Sequence, residues 1–461
     1  MAKIAAIGAL SLAALQAAHA LVLPETAVPN QAPLGATDEV TALMRDDAVM
    51  GPHHLDDDIA AAESFFNAVS SIRGHIHDDF SQAVADLVGL GYTGDLGTAS
   101  SSGGGHKDHH KDHHKDHHHG HHPHGDDSGF TIYELISKSK YTTKFAKLVD
   151  DHPHVVDVLN STKANYTLFV PVDKAFDDIP DDHKEPSKEF VEDALLYHVG
   201  LGEYPARRIL HSYTLPTALD EDLLGGEPQR LRASVGLGGV KLNFYSKVVA
   251  ADIAAKNGII HAVNHILVPP PSIGRIITLF PDRFSTLLLA YEKTDFVKFI
   301  HGVHLKGSTV FVPTNEAFHW LGPRANAFLF NTDKGREYLK AILKYNIAPN
   351  ATLYTDAFYD ETDSKRQQLP VHESTSEHYD LPTLLGDAHI SVDISRIFGF
   401  ASIKVNGFSR VIIPNGVAKN GVIQVVNRVP LPPHKGHGGH HPENAGGIEV
   451  EDLISRLADY V

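Results

Sequence analysis

Ten residues from Thr167 to Phe176 return about 140 residues downstream as Thr309 to Phe318, with six of the ten positions identical. A second pair of segments follows in the same order, Asn257 to Asn264 and Asn420 to Asn427. The spacing is far longer than the few tens of residues of a stacked solenoid repeat. The chain therefore carries a duplicated domain, and a fold assigned to one half must also serve the other.

Each marker has a physical reading. Thr167-Leu168-Phe169-Val170 is a short apolar run suited to a buried strand. Pro171 has no N–H to give to a sheet ladder, so the strand ends there. Asp173, or Thr314 and Asn315 in the second copy, is placed to cap a helix carrying Ala-Phe. In the later marker Asn257-Gly258 sits between Asp252 to Lys256 and the apolar Ile259 to Val263. Asn-Gly takes positive φ at both centres of a tight turn, which predicts a hairpin in each copy. The second copy is longer between markers, and the polar stretch Phe358 to His378 is expected to hold the surplus as an exposed loop.

These segments, with Tyr197-His198 between them, resemble the fasciclin family. The likeness covers Ser128 to Pro433. It implies an α+β fold of two tandem domains, each a twisted β-wedge with packed helices, over 128–271 and 272–433. It also implies a role in extracellular adhesion or matrix organisation. On that resemblance Tyr197, His198 and Tyr345 are candidates for an adhesion surface. The residues alone favour a core tyrosine ring and a structural hydrogen bond for His198, and both readings hold if the pair shapes a surface from beneath. The second copy departs from the pattern, because Tyr345 is followed by Asn346 rather than His.

The first 20 residues read as a secretory signal: Lys3, an apolar core from Ile4 to Ala14, and Ala18-His19-Ala20 as a small-x-small cleavage site. No later run approaches the roughly 18–20 apolar residues that span a bilayer. The charged, amphipathic stretch at 448–461 does not fit a lipid-anchor signal. A secreted protein is expected, extracellular or in the cell wall, with a vacuole lumen as the alternative. Cysteine is absent, which excludes thiol chemistry, and domains of this size hold by core burial without disulfides. Asn160, Asn165 and Asn350 each open an Asn-x-Ser/Thr sequon and are glycosylation candidates if the chain is secreted.

Residues 21–54, rich in Pro, Ala and acidic residues without a strong period, are expected to be an extended or disordered mature N-terminus. Two helical patterns follow within 55–92, carried by Phe65, Val69, Ile72 and Ile76, then Phe80, Val84, Leu87 and Val88. Val450, Leu453, Ile454, Leu457 and Val461 repeat the pattern at the far end. These helices either pack on the nearest domain or dock a partner. A Gly/Ser- and His-rich linker occupies 93–127, and a shorter His/Gly linker 434–447. The first carries His106, His109, His110, His113, His114, His117, His118, His119, His121, His122 and His124; the second carries His434, His437, His440 and His441. Imidazole pairs in many registers would hold Zn, Cu or Ni loosely, although no cofactor is required. The bland reading is a soluble, pH-responsive spacer.

The net charge of −17 argues against nucleic acid. With 33 histidines, full protonation would carry it to about +16, so contact with anionic surfaces is expected to depend on pH. Catalytic motifs are missing: there is no Gly-x-Ser-x-Gly elbow, His-Glu-x-x-His helix or phosphate loop. The acidic pairs Asp177-Asp178 and Asp181-Asp182 read as a solvated loop. Two functions from different classes remain. One is a secreted, glycosylated adhesion protein whose partner is an extracellular protein or a wall or matrix glycan. The other is a metal-binding protein in which the domains are scaffold.

Overall fold

The computed structural model describes residues 129–177, 186–236, 239–360, 367–368, 375–397, 400–433 and 447–461. The expected signal peptide, the 55–92 helices, Asp178, Asp181, Asp182 and the histidines of both tracts lie outside these residues.

The first domain opens with α1 (Ile132–Lys138), α2 (Thr143–Asp150) and α3 (Pro153–Asn160). Thr131 and Glu134 start α1 by accepting each other's backbone N–H. Then come β1 (Tyr166–Pro171), α4 (Lys188–Tyr197), β2 (Val199–Leu201) and α5 (Ala206–Ile209). The remaining strands are β3 (Thr214–Glu221), β4 (Glu227–Gly236), β5 (Gly239–Leu242), β6 (Ser246–Ala255) and β7 (Gly258–Val263). β1 runs parallel to β7, and Gly200 of β2 pairs with Thr217 of β3, closing the seven strands into a ring. Phe145, Leu159, Phe169, Tyr197 and Ile260 share its core.

The second domain contains α6 (Ile273–Thr278), α7 (Pro281–Lys293), α8 (Phe296–His301), β8 (Ser308–Pro313) and α9 (Asn315–His319). It continues with α10 (Pro323–Asn331), α11 (Asp333–Tyr345), β9 (Ile347–Pro349), β10 (Ala351–Leu353), β11 (Ala357–Asp360) and β12 (Gln367–Gln368). β13 (Thr375–Thr383), β14 (Gly386–Ile397), β15 (Phe400–Val405), β16 (Ser409–Ala418), β17 (Gly421–Val426) and α12 (Val450–Leu457) complete it. The main sheet runs β13-β14-β15-β16-β17-β8-β9, the order of the first domain strand for strand. Phe169 and Phe311 sit on equivalent strands, as duplication predicts. α12 lies against α10 and α11 and buries Leu453 and Leu457 fully, so this helix packs on the nearest domain.

Three expectations are corrected. The hairpin centres are Lys256-Asn257 and Lys419-Asn420, one residue earlier than Asn-Gly, and none of these four has positive φ. Gly258 and Gly421 instead begin β7 and β17 with φ of +148°, where their bare α-carbons pass against the backbones of Tyr166 and Ser308. The asparagines act through their side chains. Asn257 Oδ1 accepts the Ile132 N–H (2.8 Å), and its amide donates to the Leu159 and Ser161 carbonyls. Asn420 accepts the Ile273 N–H in the same way (2.9 Å). Asp173 does not cap its own short helix; it accepts from the Lys144 N–H and Thr143 Oγ1 at the start of α2. Thr314 does cap α9, through the Ala317 N–H.

The third correction concerns the surplus. Phe358 to His378 is partly strand: β11 and β12 join β10 in a three-stranded sheet, and β13 begins at Thr375. This sheet docks on the first domain. Asp356, just before β11, accepts the Tyr213 N–H (2.8 Å), the Thr214 N–H (2.6 Å) and Thr214 Oγ1 (2.5 Å). Arg230 of β4 donates to Thr214 Oγ1 (2.6 Å) and Tyr359 OH (2.9 Å), with Asp356 at 3.9 Å. Gln229 and Arg232 donate to the carbonyls of Ala418 and Pro414. A buried, hydrogen-bonded ion pair thus clasps the two domains.

Candidate functional site

Tyr197 and Tyr345 are fully buried and His198 is 1% exposed, so the expected surface role is corrected: these side chains support the fold from within. Tyr197 ends α4, and the burial of its ring leaves the hydroxyl to find protein partners. It donates to the Arg230 carbonyl (2.9 Å) and accepts from Asn243 (2.8 Å). Tyr345 repeats this with the His389 carbonyl and Asn406, both at 2.9 Å. Burial pushes the Tyr345 hydroxyl up to about 12.

His198 lies beneath a small apolar cleft formed with Phe145, Phe176, Val191, Leu195 and Ile266. The Leu267 N–H donates to its Nε2 (2.9 Å), so the ring proton resides on Nδ1 and is donated to the Ala194 carbonyl (2.6 Å). Desolvation lowers this imidazole to about 4. In the second copy Asn346 donates to the Ile342 carbonyl (2.8 Å), and the residue matching Leu267 is Pro430. Proline has no N–H, so no acceptor is needed there. The donor that His198 accepts from is therefore absent in the second copy, where the buried Asn346 Oδ1 has no hydrogen-bond partner among the described residues.

A second histidine was not singled out by sequence. His261 of β7 accepts the Asp252 N–H at Nδ1 (3.3 Å) and donates from Nε2 to the Tyr204 carbonyl (2.8 Å). Desolvation lowers it too. Gln424 makes the same two bonds in the second copy, accepting the Asn415 N–H (3.1 Å) and donating to the Leu353 carbonyl (2.9 Å). Asp252 and Asn415 both have left-handed φ, of 59° and 58°. The signal available in the sequence was the His-for-Gln exchange at matching repeat positions.

The fasciclin domain model matches residues 140–269 and 282–432. The chain belongs to the fasciclin domain family. It is 27% identical to aurofusarin biosynthesis cluster protein S of Gibberella zeae over 365 residues, 73% of this chain and 87% of that one. Stabilin-2 of Rattus norvegicus is 27% identical over 233 residues, 47% of this chain but 15% of the stabilin. The solved FAS1 domain pair of the insect cell adhesion molecule fasciclin I gives a TM-score of 0.29 at 19% identity, covering 62% of this chain and 96% of that one.

The two fasciclin domains therefore share both bonds of the His261/Gln424 position, whereas Asn346 keeps only the helix-carbonyl bond of His198. The first uses titratable His198 and His261; the second uses Asn346 and Gln424, which do not titrate. A histidine held below its ordinary value is protonated first in the unfolded chain. Its stabilisation is present above about 6.5 and is lost as pH falls toward about 4. We expect His198 alone to cost the first fasciclin domain about 3 kcal/mol across that window. His261→Gln should remain near wild type at pH 7 and lose less stability in acid. Denaturation midpoints at pH 4, 5, 6 and 7 check this; an acid slope unaffected by the substitution refutes a role for His261.

Of the sequon residues, Asn160 and Asn165 are exposed and Asn350 is half-buried. Asn160 accepts from Thr131 Oγ1, Asn165 donates to Glu203, and Asn350 accepts the Lys306 N–H. No described helix is long and apolar enough to cross a membrane, and the described residues contain no His/Asp/Glu cluster placed for a metal.

Proposed function

We propose that this protein is secreted and acts in adhesion, binding a cell-wall or matrix component through its two fasciclin domains. The observation that carries the reading is the tandem pair of fasciclin domains, joined by the buried Arg230–Asp356 clasp. The acceptor side chains Asn160 and Asn165 are solvent-exposed, which is compatible with glycosylation in the secretory pathway.

Retention of the mature protein on a wall or matrix fraction tests the reading. At pH 7, deleting 106–124 should leave retention unchanged, because the domains supply the contact. At pH 5 the intact protein should gain additional, salt-sensitive retention through its protonated histidines. Loss of all retention on deletion at pH 7 would move function to the tracts and to divalent metal. A second reading follows from the relative matched along most of both chains: service in a biosynthetic cluster, with the fasciclin pair as a scaffold. Disruption of the gene would then alter a secreted small molecule rather than adhesion.

A further inference from the structure

We propose that the protein self-associates head to tail, the second domain of one copy docking on the first domain of the next through an Asp380–Arg207 ion pair. This goes beyond the adhesion reading and holds independently of it. The template is the contact between the two domains within one chain. Tyr213-Thr214-Leu215-Pro216-Thr217 on β3 and Tyr379-Asp380-Leu381-Pro382-Thr383 on β13 agree at four of five positions. Their ladders keep one register: Leu215 faces Leu231 and Pro216 faces Arg230, as Leu381 faces Ile390 and Pro382 faces His389. Asn243 and Asn406 accept matching N–H groups, from Arg232 and Ser391, so Phe244 corresponds to Gly407. Each domain therefore carries the same face. In the first domain the second domain covers it: Thr214 bonds to Asp356, Arg230 donates to Tyr359, and Phe244 joins the second domain's core. In the second domain the corresponding Asp380, Pro382, His389 and Gly407 are exposed, with α12 in place.

The docking side is duplicated as well. The Thr355 N–H donates to Asn415 and the Ala206 N–H to Asp252, so Asp356, which grips the first domain's face, corresponds to Arg207. Arg207 is exposed and no carboxylate among the described residues pairs with it, and Leu210 on the same turn is 48% exposed. Charge decides which surfaces can meet. Within the chain the acid lies on the docking side, Asp356, and the arginine on the face, Arg230. Between copies the polarity is reversed, with Arg207 on the docking side and Asp380 on the face. Asp356 offered to Asp380 would be repelled, as would Arg207 offered to Arg230. In the free chain Asp380 has His378 at 3.3 Å, an exposed pair of small worth that a guanidinium can replace. The contact is heterologous, so it continues into rings or filaments rather than stopping at a dimer. It lacks the β11–β12 extension that carries Tyr359, and should therefore be weaker than the clasp within the chain.

Sedimentation velocity of the full-length protein tests this, at pH 7.5 and low salt, with a chelator to silence metal bridging by the histidine tracts. The sedimentation coefficient should rise with protein concentration, and added salt should reverse the rise. Arg207→Asp and Asp380→Arg, each alone, should raise the half-association concentration about ten-fold or more, with unchanged circular dichroism. Mixed in equal amounts, the two variants offer each other opposite charges in both directions, so association should return to near the wild-type level. That recovery also shows that both variants are folded. A wild-type chain that remains monomeric to about 1 mM overturns the proposal. So does wild-type association in either variant alone, or a mixture that associates no better than its parts.

Discussion

Replacing Asp356 with Ala is expected to cost about 3–5 kcal/mol and to uncouple the two domains. The carboxylate accepts three hydrogen bonds from Tyr213 and Thr214 and is the acidic partner of Arg230, which is 3% exposed. Removing one partner of a buried pair leaves the other charge without compensation in a low dielectric, and that is the expensive step. Asp356→Asn keeps an acceptor for the Thr214 N–H but loses the charge, so its cost should be intermediate. Trp320 gives a probe confined to the second domain, while far-UV circular dichroism reports both. In the wild type the two denaturation curves should coincide; in Asp356→Ala they should separate. Coincident curves with a loss below about 1 kcal/mol would show that the clasp couples nothing.

Gly258→Ala and Gly421→Ala are expected to destabilise their own domains by about 4 kcal/mol or more. An added Cβ meets the Tyr166 or Ser308 carbonyl oxygen far inside van der Waals contact, and the obstacle is backbone that cannot rotate away. The strand it strikes, β1 or β8, is hydrogen-bonded on both sides and cannot recede cheaply. Gly386 separates sterics from conformation: its φ is +80°, yet a methyl group added there would meet nothing within 4 Å. Gly386→Ala should therefore cost only about 1–2 kcal/mol. Equal losses at Gly258 and Gly386 would mean that dihedral strain, rather than the close approach, explains the marker glycine.

The sequence located the repeated elements better than it explained them. Apolar runs ended by Pro171 and Pro313 marked the central strands, because burial and the missing N–H are local properties. Asn-Gly marked the β6–β7 and β16–β17 hairpins for a different reason from the one expected. The asparagines reach α1 and α6, and the glycines clear a neighbouring strand. Neither requirement is visible along the chain, since both partners are distant in sequence. A core ring for Tyr197 and a structural hydrogen bond for His198 were legible, but their burial depends on what α2 and the strand ladder place around them.

Duplication, matching strand order in the copies and an amphipathic helix within 448–461 were thus determined by the sequence alone. They follow from periodicity, from residues with restricted backbones and from order preserved between two copies. Tertiary structure decided the rest. It converted the polar surplus of the second copy into a docking sheet, because Asp356 and Tyr359 find Thr214 and Arg230 only when the two domains meet. It made His198 and His261 neutral core groups, whereas the same residue type in the tracts reads as solvated, because desolvation depends on neighbours rather than on composition. And it brought Trp320 beside Arg428 through the parallel pairing of β8 and β17, a contact between residues more than a hundred positions apart.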